Sequence, residues 1–187
     1  MRQRLLKAAA RELVRGRGRL ELATVAQRLG VSQGLSYRYF TSKDVLIASV
    51  VDEFFDAFDA AVFLPDFAEQ GDWPARERER THQFVQFMYD RPIAPFVFAR
   101  LVGERQAIGV QQARLERQIA MAAVNIRRGQ GEGAIPTDMD PDLCGALVVG
   151  GLVQAMLTAL VMRPRPLQEQ LSGKLFAFVA AVLRISE

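Results

Sequence analysis

Apolar residues recur at intervals of three and four through most of the chain, and nowhere do they alternate with polar ones over the length of a strand. The expected fold is therefore all-α. Leu5, Leu6, Ala9 and Leu13 mark an amphipathic helix over residues 2–15 that stops at the glycines of "RGRGR". In "LELATVAQRLGVS", Leu22, Val25, Ala26 and Leu29 share one side of a short second helix, which Gly30 ends. Ser32 can cap a third helix reaching Tyr39, its hydroxyl accepting a first-turn backbone N–H. After a second cap at Thr41 or Ser42, the series Val45, Leu46, Val50, Phe54 and Phe58 predicts a longer fourth helix.

Further along, "FLPDFAEQGDWP" reads as a connector, and helices are expected at 74–90, 92–103 and 106–128. The glycine- and proline-containing loop "GQGEGAIPTDMDPD" follows, then helices at 141–162 and 167–185, giving about nine in total. The apolar stretch 145–162 reaches the lower length limit of a membrane span. Gly145, Gly150, Gly151, Gln154 and Thr158 dilute it, so a buried helix and no membrane association are expected.

Charge divides the chain where the apolar pattern does not. Residues 1–50 hold ten Lys/Arg against three Asp/Glu, while the remainder holds fourteen against eighteen. Residues 51–75 contain seven acids and no Lys or Arg, so the domain boundary is expected near residue 50, giving domains 1–50 and 51–187. A cationic head of this kind points to a polyanionic partner. With 50% hydrophobic residues the chain can bury a core, and its early apolar residues are too interrupted by Arg and Lys for a secretory signal. One cysteine, Cys144, excludes an internal disulfide and fits a cytoplasmic location.

Two short helices meeting at a glycine turn and braced on both sides make a helix-turn-helix, whose second member can enter the major groove of DNA. Gln33 stands where it can hydrogen-bond a base edge, Gly34 permits close backbone approach, and Leu35 can touch a thymine methyl. Tyr37, Tyr39 and Lys43 suit phosphates at the flanks. The run from Arg4 to Val51 resembles the DNA-binding domain of the TetR (tetracycline-repressor) family. Val25-Ala26, Gly30-Val31-Ser32, Gly34, Tyr37, Phe40, Ser42-Lys43 and Leu46 all stand at that family's spacing. The resemblance implies a homodimeric, ligand-responsive transcription factor, usually a repressor, with a double-stranded DNA operator, a small-molecule effector and a divergent C-terminal helical domain. It also implies DNA contacts from Gln33, Gly34, Leu35, Tyr37, Tyr39 and Lys43. Three positions depart from the pattern: Glu21 replaces a common Thr or Ser cap, Ser36 occupies a usually apolar site, and Leu35 a usually polar one.

In the C-terminal half, Gly151, Ala155 and Ala159 form a ridge of small residues, and Leu171, Leu175, Phe178 and Val182 follow a helix-bundle seam. These seven are the expected dimer interface. Phe84, Phe87, Met88, Phe96, Met121, Asn125 and Gln154 are the candidate effector contacts, within a larger set of aromatic and Met side chains available for a cavity. His82 is the sole histidine and has no second ligand nearby, so neither metal nor cofactor is expected. No nucleophile stands beside a base, and "GQGEG" has no strand before it, so no catalytic function is expected. The alternative is a helical adaptor that binds protein through its acidic half and has no DNA affinity.

Overall fold

A computed structural model describes residues 1–99 and 105–185. Among these residues there are nine α-helices, one short 3-10 turn at Ala68–Gln70 and no strand. The helices are α1 (Arg2–Arg15), α2 (Leu22–Arg28), α3 (Gln33–Tyr39), α4 (Lys43–Val62), α5 (Trp73–Asp90), α6 (Ala94–Phe98), α7 (Arg105–Gly131), α8 (Pro141–Val161) and α9 (Gln168–Leu183). Residues 100–103 of the sixth expected helix lie outside the described residues.

Local chemistry sets most of these boundaries. Ser32 Oγ accepts from Leu35 N at 3.2 Å and Ser42 Oγ from Val45 N at 3.1 Å, capping α3 and α4. Asp72 does the same for α5, with Pro74 in the first turn, and Asp140 for α8, followed by Pro141. Gly30 turns the chain between α2 and α3 at φ +65°, a conformation that costs a Cβ-bearing residue strain. At Glu21, before α2, no side-chain cap bond forms.

Two boundaries differ from the sequence expectation: the sixth helix, expected over 92–103, starts only at Ala94 and ends at Phe98, with Ala99 as its C-cap, and the seventh runs longer than expected. α7 does not stop at Arg128 but continues to Gly131, and within it Gly129 lies against the Trp73 ring and Ile135. A Cβ at Gly129 would stand 2.8 Å from both.

The chain forms two compact units. The first comprises Met1–Asp56 and Pro92–Arg114. There Leu5, Leu6, Ala9 and Leu13 of α1 are buried with Leu22, Val25 and Ala26 of α2, and with Phe40, Leu46, Ile47 and Val50. An Arg28–Glu12 ion pair at 2.5 Å ties α2 to α1. Arg114 of α7 reaches Asp52 and Asp56 of α4, each at 2.5 Å.

The second unit comprises Ala57–Arg91 and the residues from Leu115 onward. α5 and α8 both pack on α9, around Trp73, Ile126, Ile135, Cys144, Val148, Val179 and Leu183. The Trp73 indole N–H donates to Asn125 O at 3.0 Å. α8 is long and apolar enough to cross a membrane by length and composition. In the fold its Gly145 sits against the α7 backbone at Ile119 and Ala123, and Cys144, Val148, Val149, Met156, Ala159 and Leu160 are buried. α4 and α7 each contribute residues to both units.

Candidate functional site

The α3 segment presents a mostly polar, open surface. Ser32, Gln33, Gly34, Tyr37, Arg38 and Tyr39 are exposed, and Leu35 and Lys43 are half-buried. Tyr37 and Tyr39 retain 47% and 44% exposure, more than tyrosines held as core supports would keep. A Cβ on Gly34 would meet no atom of the chain, so packing within the subunit does not account for the missing side chain. Ser36 faces the other way and is fully buried, its hydroxyl without a hydrogen-bond partner among the described residues. Arg2, Arg4, Lys7, Arg11, Arg15, Arg17, Arg19, Arg28 and Arg38 are all exposed, so the surface of residues 1–40 as a whole is strongly cationic. Arg2 also stacks over the Phe40 ring, 5.5 Å from its centroid, and so braces the turn after α3.

The second unit encloses a cavity of about 60 Å³ between α4, α5, α7, α8 and α9. Its walls are mainly apolar, with Phe58, Val62, Phe84, Met121, Val148 and Leu152 among them. Five polar side chains join them: Glu77, Arg80, Thr81, Gln118 and Asn125. Arg80 Nε donates to Glu77 Oε2 at 3.1 Å, and Asn125 Nδ2 donates to the same oxygen at 2.8 Å. Burial raises the Glu77 carboxyl above its ordinary value, and the charge of Arg80 with the bonds from Asn125 and Arg80 pulls in the opposite direction. Arg80 also donates to the Val62 and Pro65 carbonyls, and Thr81 Oγ1 to Glu77 O at 2.9 Å. Gln118 is 1% exposed. Its Nε2 donates to Asp59 Oδ1 at 3.0 Å, and its Oε1 accepts nothing from the described residues.

Of the sequence-derived effector candidates, Phe84, Met121 and Asn125 meet at this cavity. Phe87 and Met88 are buried in the same unit but do not line it, and Phe96 belongs to the first unit. Gln154 is exposed and lines a different groove, between α8 and α9, together with Gly151, Ala155, Ala159 and Leu171. Of the expected interface residues, Ala159, Leu171 and Leu175 are buried within the single chain, whereas Phe178 is 38% exposed and rests on Gly151. The open apolar side of this helix pair carries Leu143, Leu147, Val161 and Leu167, each more than 60% exposed.

Residues 5–50 match the family model described as bacterial regulatory proteins, tetR family. The chain carries a tetR-family N-terminal domain. Solved structures extend the likeness of fold over nearly the whole length. A Mesorhizobium loti protein described as a TetR-family transcriptional regulator covers 98% of this chain and 95% of its own, at TM-score 0.77 and 18% identity. The Bacillus subtilis transcriptional regulator FadR, solved with stearoyl-CoA, covers 96% and 98%, at TM-score 0.82 and 16% identity. Salmonella enterica GusR covers 98% and 95%, at TM-score 0.79 and 18% identity. No curated protein matches. The whole chain thus has the fold of TetR-family regulators, with the family's helix-turn-helix at its head.

Several residues of the TetR-type second unit escaped the sequence reading. Glu77 and Arg80 lie in "ARERERTH", whose alternating charges resemble a solvated helix face, and Gln118 lies in the polar run "ARLERQ". The available signal was position: Trp73, Glu77, Arg80, Thr81 and Phe84 recur at steps of three and four, on one side of α5. Arg38, exposed on α3 between the two tyrosines, was likewise absent from the expected contact set.

Proposed function

We propose that this protein is a ligand-responsive DNA-binding transcriptional regulator, a repressor that leaves a palindromic operator when a small, largely apolar effector binds. In this reading residues 1–50 read DNA, and residues 51–187 hold the effector and pair two subunits in the cytoplasm. The observation that carries it is the capped helix α3, which offers Gln33, Gly34, Tyr37, Arg38 and Tyr39 to solvent within a segment rich in exposed arginines. Gln33 and Leu35 address base edges, while Tyr37, Tyr39, Arg38 and Lys43 hold phosphates. The open apolar side of α8 and α9 supports pairing, because an uncovered patch of that kind marks an interface.

The effector acts by population shift. Both α3 helices must enter successive major grooves about 34 Å apart, so a ligand that favours another head spacing weakens operator affinity. α4 is suited to carry the signal, since it starts at Lys43 beside α3 and supplies Phe58 and Val62 to the cavity wall. The complex of the Bacillus subtilis neighbour with stearoyl-CoA supports a ligand role for a protein of this fold.

The test is binding of the purified protein to genomic DNA fragments across a salt series. A regulator selects a fragment, and its affinity falls steeply with salt. Lys43→Ala should weaken binding to all sequences alike and flatten the log–log salt slope by roughly one unit. Intact folded protein that retains no fragment at low ionic strength contradicts the reading and leaves the adaptor alternative.

A further inference from the structure

The polar inventory of the α4–α9 cavity is unbalanced in one direction. Each donor-bearing side chain on its wall already gives at least one hydrogen bond to an acceptor in the chain. The Trp73 indole donates to Asn125 O, Arg80 to Glu77 and two backbone carbonyls, Thr81 to Glu77 O, Asn125 to Glu77, and the Gln118 amide nitrogen to Asp59. One buried acceptor on the wall, Gln118 Oε1, has no donor among the described residues. The Asp59 bond also fixes which end of the Gln118 amide is which, because a carboxylate accepts only from the nitrogen. A buried carbonyl left unpaired is costly, so the site favours a molecule that brings an O–H or N–H to it.

The charge inventory is balanced instead. Among the described residues Glu77 is the one acid on the wall and Arg80 the one base, and they are paired with each other. A ligand carboxylate or phosphate would enter beside Glu77 without a cation of its own, and burying an unpaired charge in an apolar wall is strongly unfavourable. We infer that the effector of this chain is a neutral, mainly apolar molecule carrying a hydroxyl or N–H donor that bonds Gln118 Oε1, and that anionic ligands such as acids and acyl thioesters of nucleotides are excluded. This rests on the cavity being the effector site.

Three aromatic probes of nearly equal body separate the possibilities at neutral pH: 1-naphthol, 1-methoxynaphthalene and 1-naphthoate, titrated by calorimetry into the full chain. Naphthol should bind about tenfold tighter than the methyl ether, the worth of one buried hydrogen bond, and naphthoate more weakly than either. Gln118→Met should abolish the preference for naphthol and leave binding of the ether in place. Because that variant also takes a donor from Asp59, its fold is checked by circular dichroism, and the comparison of probes on the unmodified protein stands without it. Equal affinity for naphthol and its ether, tightest binding of naphthoate, or binding of none of the three overturns the inference. DNA retention is measured alongside. A protein that selects DNA but prefers naphthoate keeps the regulator reading and loses this one, whereas absence of DNA binding sinks the former alone.

Discussion

Ser36 shows what a single side chain contributes at the site. Its hydroxyl lies fully buried beneath the exposed residues of α3 and has no partner among the described residues, where an apolar residue would be at no disadvantage. Ser36→Ala should therefore raise stability by about 1 kcal/mol, seen as a higher urea midpoint with an unchanged slope. A lower midpoint would show that the hydroxyl makes a bond in solution. Glu77 yields a prediction with a sign. Its folded value is raised above the ordinary 4.5, chiefly by burial, so the folded chain holds this proton more tightly than the unfolded chain does. The stability it contributes is complete in acid below the ordinary value and is lost as pH rises through the raised one. Urea midpoints of the parent and Glu77→Gln, measured from acid to neutral pH, should diverge with the parent losing ground as pH rises; a constant difference would refute this. The contrast with the α3 segment explains what could be read in advance. Ser32 and Ser42 act on their own helices three residues away, so sequence alone placed the first and narrowed the second to Thr41 or Ser42, whereas Glu77 and Gln118 acquire their character from helices distant in the chain.

Among the helices, α7 makes the same point about glycine. Gly109 and Gly129 both lie inside it, and local propensity treats them alike. Their surroundings do not: a Cβ at Gly109 meets open space, and one at Gly129 meets Trp73 and Ile135. Gly109→Ala should stabilise the protein by roughly 0.5–1 kcal/mol through reduced backbone freedom in the unfolded chain. Gly129→Ala should destabilise it by about 1–3 kcal/mol through overpacking, since an indole ring offers little give. Thermal melts of the two variants decide it, and shifts of the same sign would mean that packing does not govern this helix end. The glycine that looked like punctuation at position 129 is a packing residue inside the helix. Likewise the small residues of α8 pointed to close helix approach, but Gly151 meets Phe178 of its own chain, which sequence periodicity could not assign to one subunit or two.

At the scale of the molecule, the decisive surface is the uncovered side of α8. Leu143, Leu147 and Val161 form an apolar row on a helix whose opposite side is already packed. Leu147 is 62% exposed in the single chain, so Leu147→Glu spares the subunit's own core. The proposed dimer should then dissociate in sedimentation at micromolar concentration, with operator affinity reduced at least tenfold because two half-sites are no longer read together. A variant that remains paired, or a parent that sediments as a single subunit, would move the interface elsewhere or remove it. The all-α architecture and the capped reading helix were legible from spacing. The cavity was not, because its wall draws on five helices, and only the folded chain reveals which members of each apolar stripe face inward.

The burial of Cys144 has a chemical consequence. Its thiol is 6% exposed and pushed up by that burial and by Asp140, so little thiolate is available at neutral pH. Peroxides, quinones and other soft electrophiles attack the thiolate and need a path to it, and here they meet neither. A cell under oxidative or alkylating stress therefore leaves this sulfur as it was.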